Sequence, residues 1–372
     1  MAEKDVKLMK GNEVIAHAAV RCGCDGYFGY PITPQSEVME TLMELRPWES
    51  TGMVVLQAES EVSSINMVYG GAATGKKVMT SSSSPGVSLM SEGLSYIAAC
   101  ELPCLVVNCQ RGGPGLGTIQ PSQGDYFQAC KGGGHGDYHL IVLAPSSVQE
   151  MYDFVGLSFD LAFKHRNPVM LLADGAIGQM MEKVVFSEQK PRLTDEEVAE
   201  QQKDWAACGK RGRKARNVAT SLFLNPEELE VLNNRLQEKY RRIEAEEARW
   251  EEFMCDDAEY VIVAMGSGAD TVIETESDIT EPTATPEETE APHEHVFTET
   301  ITKEATCLEA GEKTLACECG ESSVEEVPAT GHDFSNYVSN EDATYEADGT
   351  ETAKCTCGET DTRVAEGSML TY

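Results

Sequence analysis

Residues 29–134 decide the fold of this chain, and they contain GYPITP (29–34), QAESE (57–61), TSSSSPG (80–86) and RGGPGLG (111–117). Each motif follows an apolar run that predicts a strand and precedes a pattern that predicts a helix. In an open α/β sheet, the carboxyl ends of the parallel strands lie along one edge, where ligands bind. The sequence therefore predicts that all four motifs meet at that edge.

Strands and helices alternate throughout the first half of the chain. Apolar spacing predicts helices over 10–22, 34–46, 60–74, 85–99 and 148–163, and strands at 25–30, 53–57, 77–81, 103–108, 140–143 and 168–173. The most economical architecture for this alternation is a doubly wound parallel sheet. We therefore expect an α/β domain over residues 1–180.

Charge is distributed unevenly along the chain. Of the formal net charge of −34, residues 270–372 contribute −22, with 26 acidic and 4 basic side chains. This excess of acid argues against a nucleic acid or an anionic membrane as a partner. The N-terminus lacks the apolar core of a signal peptide, and no run reaches the roughly 18 apolar residues of a membrane span. We therefore expect a cytoplasmic protein.

The composition changes after residue 180. Residues 181–258 are expected to form a charged linker and a long helix, which begins at Asn225 and ends at about Met254. Residues 259–270 are typical of the first strand and turn of a second, truncated α/β domain. Residues 271–292 are rich in Thr, Glu and Pro, a composition that predicts a disordered linker.

The C-terminal segment, 293–372, contains an internal repeat in which 305–321 aligns with 343–359. Two copies of a Thr-rich sequence punctuated by turns predict two small β modules. Both copies contain a Cys-x-Cys-Gly motif, and the histidines near these motifs are His293, His295 and His332. The thiols could bind a metal, form disulfides or remain free. Because the Cys-x-x-Cys spacing of strong zinc sites is missing, we assign no metal site here.

The four motifs, together with QPSQGDY (120–126) and GGGHGD (132–137), resemble those of the 2-oxoacid:ferredoxin oxidoreductases. The similarity covers residues 1 to about 269, and the matching subunit carries the pyrimidine-binding domain of a thiamine diphosphate site, here 1–180. Within the family, the chain looks like the 2-ketoisovalerate (3-methyl-2-oxobutanoate) branch, with the 2-oxoglutarate branch as the alternative. The resemblance implies oxidative decarboxylation of a branched 2-oxoacid with coenzyme A, giving acyl-CoA and carbon dioxide while ferredoxin is reduced.

The resemblance also assigns roles to individual residues. Glu61 matches the glutamate that hydrogen-bonds N1′ of the aminopyrimidine and thereby activates the cofactor. Glu59 is the alternative, and either acid could simply complement a helix dipole. Thr33 and Arg111 match residues that bind the 2-oxoacid, for which a guanidinium offers a planar fork of donors. Their alternative roles are structural: Thr33 as a helix N-cap, and Arg111 as a donor to loop carbonyls.

Further cofactor-binding positions implied by the resemblance are Pro31, Ile32 and Ser83, beside Glu61. Ser83 belongs to a run of four serines that could instead cap the following helix. His135 and Asp137 are either acid–base groups or part of a loop at a subunit contact. The glycines at 112–117 do not fit a dinucleotide-binding fingerprint, so a nicotinamide cofactor is not expected.

Several parts of such an enzyme are missing from this sequence. It lacks the Gly-Asp-Gly and Asn motif that binds the diphosphate and Mg²⁺, and it lacks a cysteine run for an iron–sulfur cluster. The resemblance therefore places Mg²⁺ and the clusters on partner subunits, one diphosphate-binding and others ferredoxin-like, so that thiamine diphosphate is shared.

The family-like sequence stops near Ala269, and the tail resembles repeats of bacterial cell-surface proteins. The competing hypothesis is a chimeric, non-catalytic surface or interaction protein.

Overall fold

The computed structural model describes residues 5–211, 213–269, 297–317 and 322–371. The chain forms two compact units, Met1–Glu281 and Pro282–Tyr372. The linker predicted at 271–292 lies outside the described residues. In the described parts, no helix is both long and apolar enough to cross a membrane.

The first unit contains eight named strands and ten named helices in its described residues. The strands are β1 (Val6–Lys10), β2 (Gly26–Gly29), β3 (Val54–Gln57), β4 (Val78–Ser82), β5 (Cys104–Gln110), β6 (Ile141–Leu143), β7 (Pro168–Asp174) and β8 (Met181–Val185). The helices are α1 (Gly11–Arg21), α2 (Ser36–Leu45), α3 (Pro47–Ser50), α4 (Glu61–Ala73), α5 (Ser84–Ala99), α6 (Tyr126–Cys130), α7 (Val148–His165), α8 (Gly175–Gln179), α9 (Asp195–Gln201) and α10 (Pro226–Glu247).

Six strands form one parallel sheet in the order β3-β2-β4-β5-β7-β6. The central strands are buried on both faces, as alternate residues of β5 show. Leu105 and Val107 belong to the apolar core that includes α1 and α7, whereas Cys104 and Val106 belong to the core that includes α4 and α5. Such two-sided burial explains why the strands are continuous apolar runs. The predicted doubly wound parallel α/β fold is confirmed.

The strand order reverses between β2 and β4. From β2 the chain moves outward to β3 on one side and then returns to β4 on the other. In open α/β sheets, the crevice at such a reversal, at the carboxyl ends of the strands, is where ligands bind. The fold therefore directs attention to the loops that follow β2, β3, β4 and β5.

Two helix boundaries differ from the sequence predictions. Helix α2 begins at Ser36 with Gln35 at the N-cap, so the expected role of Thr33 as an N-cap is wrong. A turn comes first, because the Gln35 amide donates to the Ile32 carbonyl (3.1 Å). Helix α10 ends at Glu247 rather than near Met254, with Ala248 in an extended conformation.

The strand predicted near residue 260 is also wrong. Residues 261–265 have no regular structure, and the side chains of Val261, Ile262 and Val263 are exposed. The segment instead contacts the carboxyl edge of the sheet, where Ser267 donates to Asp174 Oδ2 (2.5 Å). A strand needs an edge with which to pair, and within the described residues this segment pairs with none.

The second unit contains two small antiparallel sheets, one for each repeat. The strands are β9 (Phe297–Lys303), β10 (Gly311–Cys317), β11 (Ser322–Val327), β12 (Val338–Ser339), β13 (Thr350–Lys354) and β14 (Thr360–Val364). Their orders are β11-β10-β9 and β12-β13-β14, so each sheet is a three-stranded meander. The prediction of two small β modules is confirmed.

Candidate active site

The carboxyl edge of the parallel sheet carries the four sequence motifs, as predicted. Pro31, Ile32 and Thr33 lie in the loop after β2, and Glu61 begins α4 after β3. The serine run joins β4 to α5, and Arg111 directly follows β5. Of the loop after β2, Pro31 and Thr33 are exposed and Ile32 is half-buried, so this loop forms the outer wall of the site.

Glu61 is a buried acid at the N-terminus of a helix. Ser60 caps α4 by accepting a hydrogen bond from the Ser63 amide (3.2 Å), which directs the first turn of the helix toward the sheet edge. The Glu61 side chain has no hydrogen bond or ion pair with the described residues, although the residue is only 6% exposed. A carboxylate without a protein partner keeps its oxygens available as acceptors for a ligand. The alternative acid, Glu59, points to solvent.

Helix α5 packs closely against the Glu61 carboxyl group. A Cβ atom on Gly86 would lie 2.8 Å from Glu61 Oε1 and 2.1 Å from Ser82 Oγ. Both distances are too short for ordinary contacts, so only glycine fits without movement. The Glu61 carboxylate therefore lies against the N-terminal turn of α5, beside the end of β4.

Two serine hydroxyls at the end of β4 have no partner. Ser82 Oγ and Ser83 Oγ are buried, and neither forms a hydrogen bond with the described residues. Ser83 occupies the N-cap position of α5, yet its side chain makes no capping bond. Orphaned buried hydroxyls are rare in folded proteins and often lie where a ligand or water completes them.

Arg111 and Thr33 meet across the loops that follow β5 and β2. Arg111 Nη1 donates to the Thr33 carbonyl (2.9 Å) and to Thr33 Oγ1 (3.2 Å), and Nη2 donates to the Leu116 carbonyl (3.0 Å). The structural role considered from the sequence is thus present. The guanidinium is buried, its Nε has no hydrogen-bond partner, and it forms no ion pair within the described ranges. An unneutralised buried cation of this kind favours an anionic ligand.

The structure does not bring His135 and Asp137 to this site. His135 lies against the far half of α5, where its carbonyl accepts a hydrogen bond from Ser95 (2.8 Å). Ser95 lies eleven positions after Ser84, which corresponds to about 16 Å along a helix. These two residues are therefore not acid–base partners of Glu61.

Sequence reasoning missed a set of buried polar groups beneath the site. Gln35 Oε1 accepts a hydrogen bond from Ser81 (2.5 Å), whose hydroxyl also contacts the Tyr27 hydroxyl (2.7 Å). Asn108 donates to Asp125 (2.9 Å), and its own Oδ1 has no partner. One feature of the sequence could have indicated them. A polar residue at the end of a buried apolar strand has little room to turn its side chain toward solvent.

Comparison with known proteins identifies the family. Residues 17–254 match the family described as pyruvate flavodoxin/ferredoxin oxidoreductase, thiamine diphosphate-binding. The chain belongs to this family. The ketoisovalerate oxidoreductase subunit VorB of Methanothermobacter thermautotrophicus is 51% identical over 262 residues, covering 70% of this chain and 71% of the relative. The 2-oxoglutarate synthase subunit KorA of Methanocaldococcus jannaschii is 46% identical over 182 residues, or 49% of each chain.

A solved member of the family has the same fold. It is the 2-oxoglutarate:ferredoxin oxidoreductase from Magnetococcus marinus with 2-oxoglutarate, coenzyme A and succinyl-CoA bound, with a TM-score of 0.56 and 30% identity. The match covers 66% of this chain and 46% of that chain, so the present chain spans about half of it. The family resemblance and the fold predicted from the motifs are confirmed.

The residues at the carboxyl edge fit a thiamine diphosphate-binding domain. The buried Glu61 carboxylate, the orphaned hydroxyls of Ser82 and Ser83, and the partnerless Nε of Arg111 all lie on loops of one sheet edge. Gly86 leaves room where a side chain would fill the space beside the carboxylate. An acid, hydroxyls and a cation provide the donors and acceptors that an aminopyrimidine ring and an acidic substrate need.

Proposed function

We propose that this chain is the pyrimidine-domain subunit of a thiamine diphosphate-dependent 2-oxoacid:ferredoxin oxidoreductase. Its complex oxidatively decarboxylates 2-ketoisovalerate with coenzyme A, producing the branched acyl-CoA and carbon dioxide while ferredoxin is reduced. The observation that carries the proposal is Glu61, a residue only 6% exposed at the sheet edge, whose carboxylate has no partner among the described residues. Family membership over residues 17–254 supports the enzyme over a non-catalytic surface protein.

Glu61 is proposed to hold a proton shared with N1′ of the aminopyrimidine ring. Burial strengthens this hydrogen bond, because little water competes for either partner. When bound, thiamine diphosphate supplies a carbon nucleophile that adds to the 2-oxo group. Ser83 has a buried hydroxyl without a partner at the end of β4, and Pro31 and Ile32 lie in the loop after β2 at the same sheet edge, so we assign these three to the cofactor.

Arg111 and Thr33 are proposed to orient the 2-oxoacid. The partnerless Nε of Arg111 can donate to the substrate carboxylate, while Nη1 holds the Thr33 hydroxyl within hydrogen-bond distance. This bond fixes the exposed Thr33 side chain. Together, the two residues can position the carboxylate that is lost as carbon dioxide.

Exposed apolar side chains around the site support a partner subunit. Val62 follows Glu61, and Leu89 follows Gly86 by one helical turn; they are 44% and 54% exposed. On the neighbouring loops, Leu116 and Phe127 are 79% and 70% exposed. Exposed apolar surface of this kind marks protein interfaces. We assign it to the diphosphate-binding subunit, which would supply Mg²⁺, while ferredoxin-like subunits would supply the iron–sulfur clusters.

The choice of 2-ketoisovalerate depends on the extent of similarity. Identity of 51% extends over 262 residues of the VorB subunit, whereas 46% identity with the KorA subunit extends over 182 residues. The longer match includes α10 and the segment that follows it. A 2-oxoglutarate enzyme is the second candidate.

The acidic chain and its reduced, irregularly spaced thiols in the first unit are consistent with a cytoplasmic complex.

Reconstitution tests this proposal. The full chain is co-expressed with diphosphate-binding and ferredoxin-like subunits from its own genome, and coenzyme A-dependent ferredoxin reduction is measured with 2-ketoisovalerate and 2-oxoglutarate. We expect a higher kcat/KM for 2-ketoisovalerate. A preference for 2-oxoglutarate would select the second candidate, and a complex that forms without reducing ferredoxin with either acid would contradict the enzyme proposal.

A further inference from the structure

Three cysteines and a histidine converge in the C-terminal unit. The ligand atoms of Cys307, His332, Cys355 and Cys357 all lie within 4.8 Å of one another. Cys307 Sγ lies 3.5 Å from Cys355 Sγ, and Cys357 Sγ lies 3.2 Å from His332 Nδ1. The cluster draws on both repeats, because Cys307 belongs to the first copy and Cys355 and Cys357 belong to the second.

These distances fit one tetrahedral metal ion. With zinc–sulfur bonds of about 2.3 Å and a zinc–nitrogen bond of about 2.0 Å, the ligand atoms of a tetrahedral site lie roughly 3.5–3.8 Å apart. The two measured separations are at or slightly below that range. A disulfide would require two sulfurs at about 2.05 Å and would leave the other thiol and the imidazole unexplained.

The cysteine loop is shaped for metal binding. The Cys355 amide donates to the Glu359 carbonyl (2.8 Å), and the Gly358 amide donates to the Cys355 carbonyl (2.9 Å). This tight turn requires the positive φ of 103° at Gly358, which favours glycine.

The C-terminal unit also lacks an adequate hydrophobic core. Among its described residues, the hydrophobic side chains that are fully buried are Ala353 and Cys355. Two three-stranded sheets of this size cannot be stabilised by so little apolar burial, and small domains of this kind depend on a metal or on disulfides. A tetrahedral ion held by both repeats would supply the missing stability.

We propose that Cys307, His332, Cys355 and Cys357 bind one structural Zn²⁺ ion that joins the two repeats. The sequence spacing did not indicate this site, because its ligands come from different repeats and the two cysteines of the loop are separated by one residue. In the second copy, Tyr345 occupies the position equivalent to Cys307.

Metal analysis of the full chain tests the proposal. We expect about one zinc per chain after purification under reducing conditions without chelator. Replacing it with Co²⁺ should give the intense visible absorption of a tetrahedral site with thiolate ligands. A metal-free protein, or a cobalt spectrum typical of octahedral oxygen ligands, would overturn the proposal, as would a Cys307–Cys355 disulfide under the same conditions.

The repeats provide a matched pair of double variants. Cys355→Ser with Cys357→Ser should abolish zinc binding, whereas Cys317→Ser with Cys319→Ser, the equivalent pair in the first copy, should retain about one zinc per chain. The reverse result would assign the ion to the other pair and overturn the proposal. If the first variant is unfolded, the cobalt spectrum of the unmodified chain still decides the ligand set.

Discussion

Gly86 controls the position of the Glu61 carboxylate. In Gly86→Ala, the added Cβ would lie 2.8 Å from Glu61 Oε1 and 2.1 Å from Ser82 Oγ, so the carboxylate must move. Because small displacements of the proposed catalytic carboxylate would misplace it, we expect kcat of the reconstituted complex to fall about 10- to 100-fold. Steady-state ferredoxin reduction measures this effect.

The matched control for this variant is Gly70→Ala on α4. A Cβ on Gly70 would meet nothing within 4 Å, and alanine is the better helix former by up to about 1 kcal/mol. We expect unchanged kcat and equal or higher thermal stability. Full activity in Gly86→Ala, or an equal loss in both variants, would show that the space beside Glu61 has no special role.

Arg111 provides the second prediction at this scale. Arg111→Lys keeps the charge but removes the fork that holds Thr33 and Leu116. We expect KM for the 2-oxoacid to rise about 10- to 100-fold, with a smaller change in kcat, because the substrate carboxylate loses directed donors. Initial-rate kinetics over a range of 2-oxoacid concentrations measure the change. An unchanged KM would contradict a role of Arg111 in substrate binding and would support a purely structural role through its bonds to loop carbonyls.

The sequence could predict some of these residues and not others. The placement of Glu61, Thr33 and Arg111 on one edge of the sheet could be predicted, because their motifs directly follow apolar runs and the carboxyl ends of parallel strands share one edge. Their proposed roles are implied by the family resemblance. Gln35 and Asn108 were missed because nothing in the local sequence indicates which polar side chains will be buried. That property depends on packing between residues far apart in the chain.

At the scale of elements, two carboxylates at the end of α10 contact α7, and Glu247 makes the shorter contacts. Glu247 lies 2.5 Å from Lys164 Nζ and 2.8 Å from His165 Nε2, and its side chain is 7% exposed. The hydrogen bond from Lys164, followed by that from His165, lowers the pKa of Glu247 to about 2. Neighbouring Glu246 is more exposed and contacts Lys164 at 3.5 Å.

Glu247→Gln should therefore lower the free energy of unfolding by about 1–2 kcal/mol at neutral pH. A lowered pKa in the folded state contributes stability that is fully present above the unfolded value of 4.5 and is lost as pH falls through about 2. The difference in the free energy of unfolding between Glu247→Gln and the unmodified chain should therefore shrink as the pH falls from about 4.5 to about 2. Urea unfolding at about pH 7 and about pH 3 measures it.

Glu246→Gln is the control for this prediction, because it removes the same charge from a more exposed position. It should change the free energy of unfolding by less than about 0.5 kcal/mol at either pH. Equal effects of the two variants would contradict the proposed role of Glu247 in holding α10.

Element types were easier to predict than their ends and pairings. The strands and helices of the parallel sheet follow from apolar periodicity. The antiparallel ribbon of β1 and β8 was missed, because Val6 pairs with Val185 across most of the domain sequence. The prediction of a strand near residue 260 was wrong because it considered the local sequence alone. An apolar run such as Val261–Val263 becomes a strand only when the edge of another strand is available for pairing.

At the scale of the whole molecule, the two units should unfold separately. We expect the full chain to show two thermal transitions, of which the one that belongs to the C-terminal unit disappears on treatment with a chelator and returns with Zn²⁺. Removing residues 270–372 should leave the other transition and the activity of the reconstituted complex unchanged. Calorimetry measures both transitions, and a single chelator-insensitive transition in the full chain would contradict this view.

The central claim concerns Glu61, and hydrogen–deuterium exchange at C2 of thiamine diphosphate in the reconstituted complex tests it most directly. The account predicts that Glu61→Gln slows this exchange by at least about 100-fold, whereas Glu59→Gln, which alters the neighbouring exposed acid, leaves it unchanged. Normal exchange in Glu61→Gln, with cofactor still bound, would contradict the account.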